Sequence, residues 1–160
     1  MPDYIVRKAI PSDLEGVYAV FSLADKLHRQ KHPEIFKKAA TPTGIKDYLL
    51  ASISAEDAAI IVAKYRGEII GSIIAWVRQT PENPVLVQHT FLSVENLVVV
   101  ETFRQQGVGK ALMEHIHLWS EELGIKQIQL TVWDFNERAQ TFYKQLGYEM
   151  LHHRMHKELP

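Results

Sequence analysis

The run Arg104-Gln105-Gln106-Gly107-Val108-Gly109-Lys110 sets two glycines between an apolar stretch, Leu97 to Val100, and an amphipathic segment ending at Leu123-Gly124. That order reads as a buried strand, a tight turn and the opening of a helix. Glycine lets the main chain approach a ligand closely, and the free N–H groups at a helix start favour negative charge. The chemistry on offer is a phosphate socket. Two familiar phosphate motifs do not fit it. A P-loop needs glycine where Arg104 stands and Ser or Thr where Ala111 stands. The dinucleotide fingerprint needs a third glycine at Leu112 and a place after the first strand of its unit.

A second constellation lies further on. Asn136, Ala139 and Tyr143 recur at i, i+3 and i+7 and share one stripe of a helix. Phe135, Phe142 and Leu146 form the neighbouring stripe, the better candidate for the core. An asparagine, a small residue and a phenol on one stripe suit a surface that receives a ligand. A tyrosine at an amphipathic boundary is the alternative reading of the same pattern.

The elements that must position these residues follow from periodicity. Tyr4 to Ala9 reads as a first strand. Ser12-Asp13-Leu14-Glu15 is a capping-box pattern, and Leu14, Val17, Tyr18, Phe21 and Ala24 then recur at helical spacing. That helix stops near His32, because Pro33 disfavours helix in the residue before it. A second helix spans Thr43 to Ser54 with Ile45, Tyr48, Leu49 and Ile53 inward. Ala58 to Lys64 and Ile69 to Arg78 are strands joined by a hairpin turn at Tyr65-Arg66-Gly67-Glu68. A loop from Thr80 to Pro84 leads into a long strand reaching Val100. The glycine turn launches a helix with Val108, Leu112, Ile116, Trp119 and Leu123 apolar and Gly124 as its stop. Lys126 to Trp133 alternates like a strand. Asp134 to Glu137 is a second capping-box candidate for a helix ending at Gly147, and Tyr148 to Lys157 reads as a closing strand. The expected fold class is α/β (α+β). It has a single domain over 1–160, with a mixed, mostly antiparallel sheet of six to seven strands and about four helices.

Composition narrows the function classes. Of 160 residues, 46% are hydrophobic and 23% charged, the balance of a soluble globular chain. Net charge is −1, and Lys37-Lys38 and Arg7-Lys8 are too sparse for a nucleic-acid surface. With no cysteine, disulfides, zinc–thiolate sites and an acyl-cysteine intermediate are excluded. No apolar stretch approaches the roughly 20 residues of a membrane span. The opening residues lack the regions of a signal peptide, so a cytoplasmic location is expected.

Three separated pieces resemble the GNAT superfamily of N-acetyltransferases in order and spacing: Glu95-Asn96-Leu97-Val98-Val99, Arg104-x-x-Gly107-x-Gly109, and Asn136-x-x-Ala139-x-x-x-Tyr143-x-x-x-Gly147-Tyr148. The resemblance covers essentially the whole chain and looks most like the small-molecule branch that includes diamine acetyltransferases. Many relatives carry Pro where this chain has Glu101 and Gly where it has Gln105. The second departure leaves one flexible joint fewer in the turn.

The resemblance implies acetyl transfer from acetyl-CoA to a primary amine of a small molecule or peptide, directly within a ternary complex. Leu97, Val98 and Val99 match the strand whose main-chain amides hold the pantetheine. Arg104, Gln105, Gln106, Gly107, Val108, Gly109 and Lys110 match the pyrophosphate turn, and Asn136, Ala139 and Tyr143 complete the cofactor contacts. Tyr143 matches the general acid for the CoA sulfur, and Glu95 the general base, directly or through water. Strand alternation would put Glu95 on the face of Leu97 and Val99. An ordinary charged residue at the end of a strand is the alternative reading of Glu95. Two further readings stay open for the chain: an acyl-CoA sensor without turnover, and a protein N-terminal acetyltransferase. Homodimers are common in the family.

Eight histidines invite a metal reading. His28 and His32 are four apart, but Pro33 ends their helix; His115 and His117 diverge; His152, His153 and His156 lack a carboxylate partner at ligand spacing. No metal is expected. His28, Arg29 and His32 either line the acceptor pocket or form a polar helix end. The absence of an acidic cluster counts against strongly polycationic acceptors.

Overall fold

The computed structural model describes residues 3–39 and 41–160, and the chain divides into two compact units, one up to Leu130 and one from Thr131 onward. The first unit holds β1 (Ile5–Lys8), a 3₁₀ turn (Pro11–Asp13), α1 (Leu14–Lys31), α2 (Thr43–Ser54), β2 (Ala58–Tyr65) and β3 (Glu68–Gln79). It continues with β4 (Thr90–Val99), a second 3₁₀ turn (Glu101–Phe103), α3 (Val108–Glu122) and β5 (Ile128–Leu130). The strands lie in the order β1-β2-β3-β4-β5, antiparallel except for the parallel pair β4–β5.

Ala58 to Ala63 and Ile70 to Ala75 are buried without a break, because helices cover both faces of the two central strands. On one face Val17 of α1 and Leu49 and Ile53 of α2 pack with Ile60, Val62 and Ile74. On the other, α3 presents Val108, Leu112, Met113 and Ile116, all buried. Each such side chain contributes roughly 1.5–3 kcal/mol of transfer free energy. Gly71 sets the spacing of α3 on the sheet: a Cβ there would lie 3.2 Å from Val108 Cγ1 and 3.3 Å from Leu112 Cδ1. The β2–β3 hairpin turns at Arg66 and Gly67, with φ of 49° and 90°, as a two-residue turn matched to strand twist requires.

Among the described residues, the α/β class, the four helices and the mixed sheet agree with expectation, but the sheet has five strands rather than six to seven. Within 126–133 only Ile128–Leu130 pairs, with Leu92–Val94. Residues 148–157 form no strand, and Leu151 and Met155 are 72% and 91% exposed. Alternation permits a strand, whereas a hydrogen-bonded neighbour makes one. The Ser12–Glu15 capping box is not formed either. Asp13 is instead buried, its carboxylate accepting from the Ile10 N–H at 3.0 Å and from Arg7 at 2.6 and 3.0 Å.

The second unit contains α4 (Glu137–Gln145). Its N-cap is Asn136, whose Oδ1 accepts from the Ala139 N–H at 3.1 Å, so the cap lies two residues beyond the expected Asp134. At the other end Gly147 takes φ of 85°, and the Gly147 and Tyr148 N–H groups donate to Lys144 O and Tyr143 O. This is a Schellman close, which explains glycine at 147.

Candidate active site

The site begins with an unpaired strand edge. β5 accompanies β4 only through Val94, while β3 pairs with β4 up to Val99. Val100 donates its N–H to Ile70 O at 2.9 Å. By the alternation of an antiparallel ladder, Val98 also donates toward β3, and the N–H groups of Leu97 and Val99 point to the opposite edge. Beyond Val94 no strand among the described residues pairs along that edge. Of the three expected strand contacts, Leu97 and Val99 are so oriented, and Val98 is committed to the ladder with its side chain buried.

The turn that follows is closed by its own side chains. Arg104 Nε donates to Val99 O at 3.0 Å, and Gln106 Nε2 donates to Thr102 O at 2.8 Å. Gln105 has φ of 60° and Gly107 φ of 83°, so two residues of the turn are left-handed and one of them carries a side chain. The position where relatives have glycine therefore does need that conformation, and glutamine adopts it at a cost of roughly 1–2 kcal/mol. Gly107 is the N-cap of α3 and supplies no side-chain acceptor; Ala111 N–H makes the first helical bond, to Gly107 O at 2.9 Å. The N–H groups of Val108, Gly109 and Lys110 precede it and have no place in the helix ladder. Together with the helix dipole they form a concentrated positive end. Val108 is otherwise a core residue with its side chain buried, and the Lys110 side chain is exposed, 3.9 Å from Glu114.

Glu95 departs from simple alternation. Ile74 pairs with Asn96 and Ala75 with Val94, leaving Glu95 as the extra residue of a β-bulge. Bulges re-aim side chains. The Glu95 carboxylate accepts from Ser93 Oγ at 3.2 Å and lies 3.6 Å from the Arg78 guanidinium. Ser93 pairs with Trp76, and Arg78 is two residues from Trp76, so all share the Trp76 face. Leu97 and Val99 pair with Ile73 and Gly71 on the α3 face. The expected common face of Glu95, Leu97 and Val99 is thus overturned by one inserted residue. The bulge carries no strong local sequence signal: no glycine or proline marks it.

In the second unit, Asn136, Ala139 and Tyr143 do share a stripe of α4. The Asn136 carbonyl is occupied as the cap. Tyr143 is half-buried, edge-on to Phe142 at 5.1 Å and to Tyr148 at 5.7 Å. Burial, then the neighbouring Tyr148, raise its pKa above the ordinary phenol value, and burial pushes that of Tyr148 up to about 12. Glu95 belongs to the first unit and Tyr143 to the second.

The sequence model of the Acetyltransferase (GNAT) family matches residues 21–148. The chain belongs to this family. It is accordingly an acetyl-CoA-dependent N-acetyltransferase. A curated relative from Lactobacillus delbrueckii subsp. lactis, an uncharacterized N-acetyltransferase in the pepI 3′ region, is 26% identical over 126 residues, 79% of this chain and 72% of that one. Among solved structures, a mutant of the BH1408 protein from Bacillus halodurans superposes with a TM-score of 0.90 at 28% identity, over 98% of this chain and 99% of that one. The aminoglycoside N-acetyltransferase AAC(6′)-Iy in complex with CoA shares the fold, with a TM-score of 0.77 at 19% identity over 99% and 96% of the two chains.

In this acetyltransferase the end of α1 is internally paired: Arg29 contacts Asp25 at 3.1 Å, His32 contacts Glu34 at 2.7 Å, and the His28 ring lies 5.2 Å from Phe36. Among the described residues no group of three or more His, Cys, Asp or Glu could hold a metal. No helix among them is long and apolar enough to cross a membrane. The neighbourhood of Arg78, Trp76 and Ser93 around Glu95 escaped sequence reasoning, because only the bulge brings it together.

Proposed function

We propose that this enzyme acetylates a primary amine of a small molecule, with acetyl-CoA and acceptor bound together in one catalytic domain over 1–160, in the cytoplasm. The observation that supports it most is the junction of β4 and α3, where an outward strand edge runs into an uncapped helix start. The diphosphate of CoA is taken by the N–H groups of Val108, Gly109 and Lys110, and pantetheine amides pair with Leu97 and Val99. The amine nitrogen attacks the thioester carbonyl, the C–S bond breaks, and the amine's proton passes to Glu95, directly or through water. Tyr143 keeps its proton at neutral pH and donates a hydrogen bond to the leaving sulfur. Its raised pKa makes it a weaker acid than a thiol (about 8.5 for cysteine), so stabilisation of the departing thiolate outweighs full proton transfer. Structural neighbours that are aminoglycoside acetyltransferases support a small-molecule acceptor, as does AAC(6′)-Iy in complex with a bisubstrate analog joining CoA to an acetylneamine.

The test combines calorimetric titration of CoA with thiol release from acetyl-CoA across an amine panel. Gly109→Val is expected to weaken CoA binding by at least tenfold with an unchanged circular dichroism spectrum. Glu95→Gln is expected to lower kcat by roughly 10²–10⁴-fold. CoA binding without thiol release for any amine would leave an acyl-CoA sensor, and release only with peptide N-termini would make it a protein acetyltransferase.

A further inference from the structure

The bulge in β4 does more than turn Glu95. It brings the carboxylate beside a guanidinium that is held in place yet makes no hydrogen bond among the described residues. Arg78 lies with its guanidinium carbon 4.9 Å from the centre of the Trp76 ring. Trp76 is itself fixed, its Nε1–H donating to Tyr48 Oη at 3.2 Å while the two rings stack at 6.3 Å. Tyr48 sits on α2, so the helix covering this face anchors the whole arrangement. The Arg78–Glu95 separation of 3.6 Å is an ion pair and too long for a hydrogen bond. A guanidinium has five donors in a planar fork that matches a carboxylate in bidentate fashion. Here the aromatic contact has already restricted the long side chain, and both Arg78 and Glu95 remain partly open to solvent, at 47% and 38% side-chain exposure.

We propose that Arg78 is a specificity-determining residue, and that the acceptor is an amine bearing a carboxylate one carbon away, an α-amino acid. This rests on the acetyltransferase reading above. The amine goes to Glu95 and the carboxylate to the Arg78 fork, so the two ends of the ligand exchange with the two halves of the existing ion pair. A neutral pair of protein charges is complementary to a zwitterion. It is a poor match for di- and polyamines, whose second cation meets Arg78 instead of an acid. The chain's lack of an acidic cluster points the same way.

The experiment measures thiol release from acetyl-CoA with acceptors that differ only by the carboxylate: tryptophan against tryptamine, phenylalanine against phenethylamine, ornithine against putrescine. The wild-type enzyme is expected to favour at least one amino acid over its decarboxylated partner by tenfold or more in kcat/KM. In Arg78→Gln that preference is expected to disappear through a rise in acceptor KM, with kcat and the KM for acetyl-CoA held. Arg78→Lys is expected to fall between the two, since it keeps the charge and loses the fork. If the wild-type enzyme prefers the plain amines, or if Arg78→Gln slows both members of each pair equally, the assignment is wrong while the acetyltransferase reading stands. If no amine releases thiol, both fall together.

Discussion

Tyr143 owes its setting to the way its helix ends. It occupies the third position from the end of α4, and in the Schellman close that position meets the residue after the terminal glycine. The Tyr148 ring packs edge-on against it, and the Tyr148 N–H donates to its carbonyl at 3.0 Å. The pair Gly147-Tyr148 is therefore a device for holding Tyr143. Burial raises the Tyr143 pKa, and this fixes the sign of its pH dependence. A hydrogen-bond donor with an elevated pKa stays competent as pH rises through the ordinary phenol range and is lost only above it. We predict that kcat shows no fall attributable to this group up to about pH 10, the usual tyrosine value. Tyr143→Phe should lower kcat by roughly 10²-fold at every pH tested, with CoA affinity unchanged by calorimetry. A descending limb below pH 10 that vanishes in the Phe variant would show that the phenol ionises normally. Asn136 gives the contrasting case. Its place on the stripe suggested a ligand contact, whereas its carbonyl caps the helix, a role Asp would keep and Ala would lose at about 1 kcal/mol.

Among the elements, the glycine turn and α3 supply most of the candidate site and were the most legible in sequence, because glycine spacing and helix periodicity are local signals. The turn's strain was half legible. Gln105 stood out as a departure from relatives that carry glycine, and its φ of 60° shows why glycine suits the position. Gln105→Gly should relieve roughly 1–2 kcal/mol of left-handed strain, offset by roughly 0.5–1 kcal/mol of extra chain entropy in the unfolded state. The expected outcome is a small gain in thermal midpoint with CoA affinity equal or better. A lower midpoint would mean that the glutamine side chain stabilises the turn more than its backbone strains it. The packing of α3 offers a stronger perturbation. A Cβ on Gly71 would come within 3.1 Å of Val98 O as well as meeting Val108 and Leu112. Gly71→Val should cost about 1–3 kcal/mol or more by overpacking, and it should weaken CoA binding as α3 shifts away from β4. Glu95 marks the limit of element-scale reading. Alternation is a rule about unbroken strands, and one unpaired residue reversed its answer for the face that matters.

For the molecule as a whole, the α/β class, the four helices and the mixed sheet followed from apolar patterning, whereas the number of strands did not, since pairing partners are distant in sequence. The same holds for the contact that ties the start of the chain together. Arg7 of β1, Ile10 in the connection and Lys64 of β2 all converge on Asp13, with Lys64 Nζ at 3.5 Å. The family match begins only at residue 21, so Arg7, Ile10 and Asp13 lie outside it while Lys64 lies within. In the sequence, Asp13 looked like the interior of a capping box. Buried with 4% of its surface exposed, it instead has its pKa lowered from 3.8 to about 2, first by the Arg7 hydrogen bonds. A depressed carboxyl pKa contributes stability that is fully present above the unfolded value and is lost as pH falls through the folded one. The contribution is on the order of 2 kcal/mol at neutral pH, and it should drain away between about pH 4 and pH 2. Asp13→Asn should accordingly lower the thermal midpoint at pH 7 by roughly 4–8 °C, for a loss of about 2 kcal/mol in a chain of this size. The difference between the two proteins should narrow steadily below pH 4, because the wild-type carboxyl then becomes neutral as well. Urea unfolding of both proteins across that range measures it directly. A gap that stays constant down to about pH 2.5, well inside the titration range of a lowered carboxyl, would show that Asp13 acts through shape alone, and that the convergence of Arg7 and Lys64 on it carries no electrostatic stabilisation.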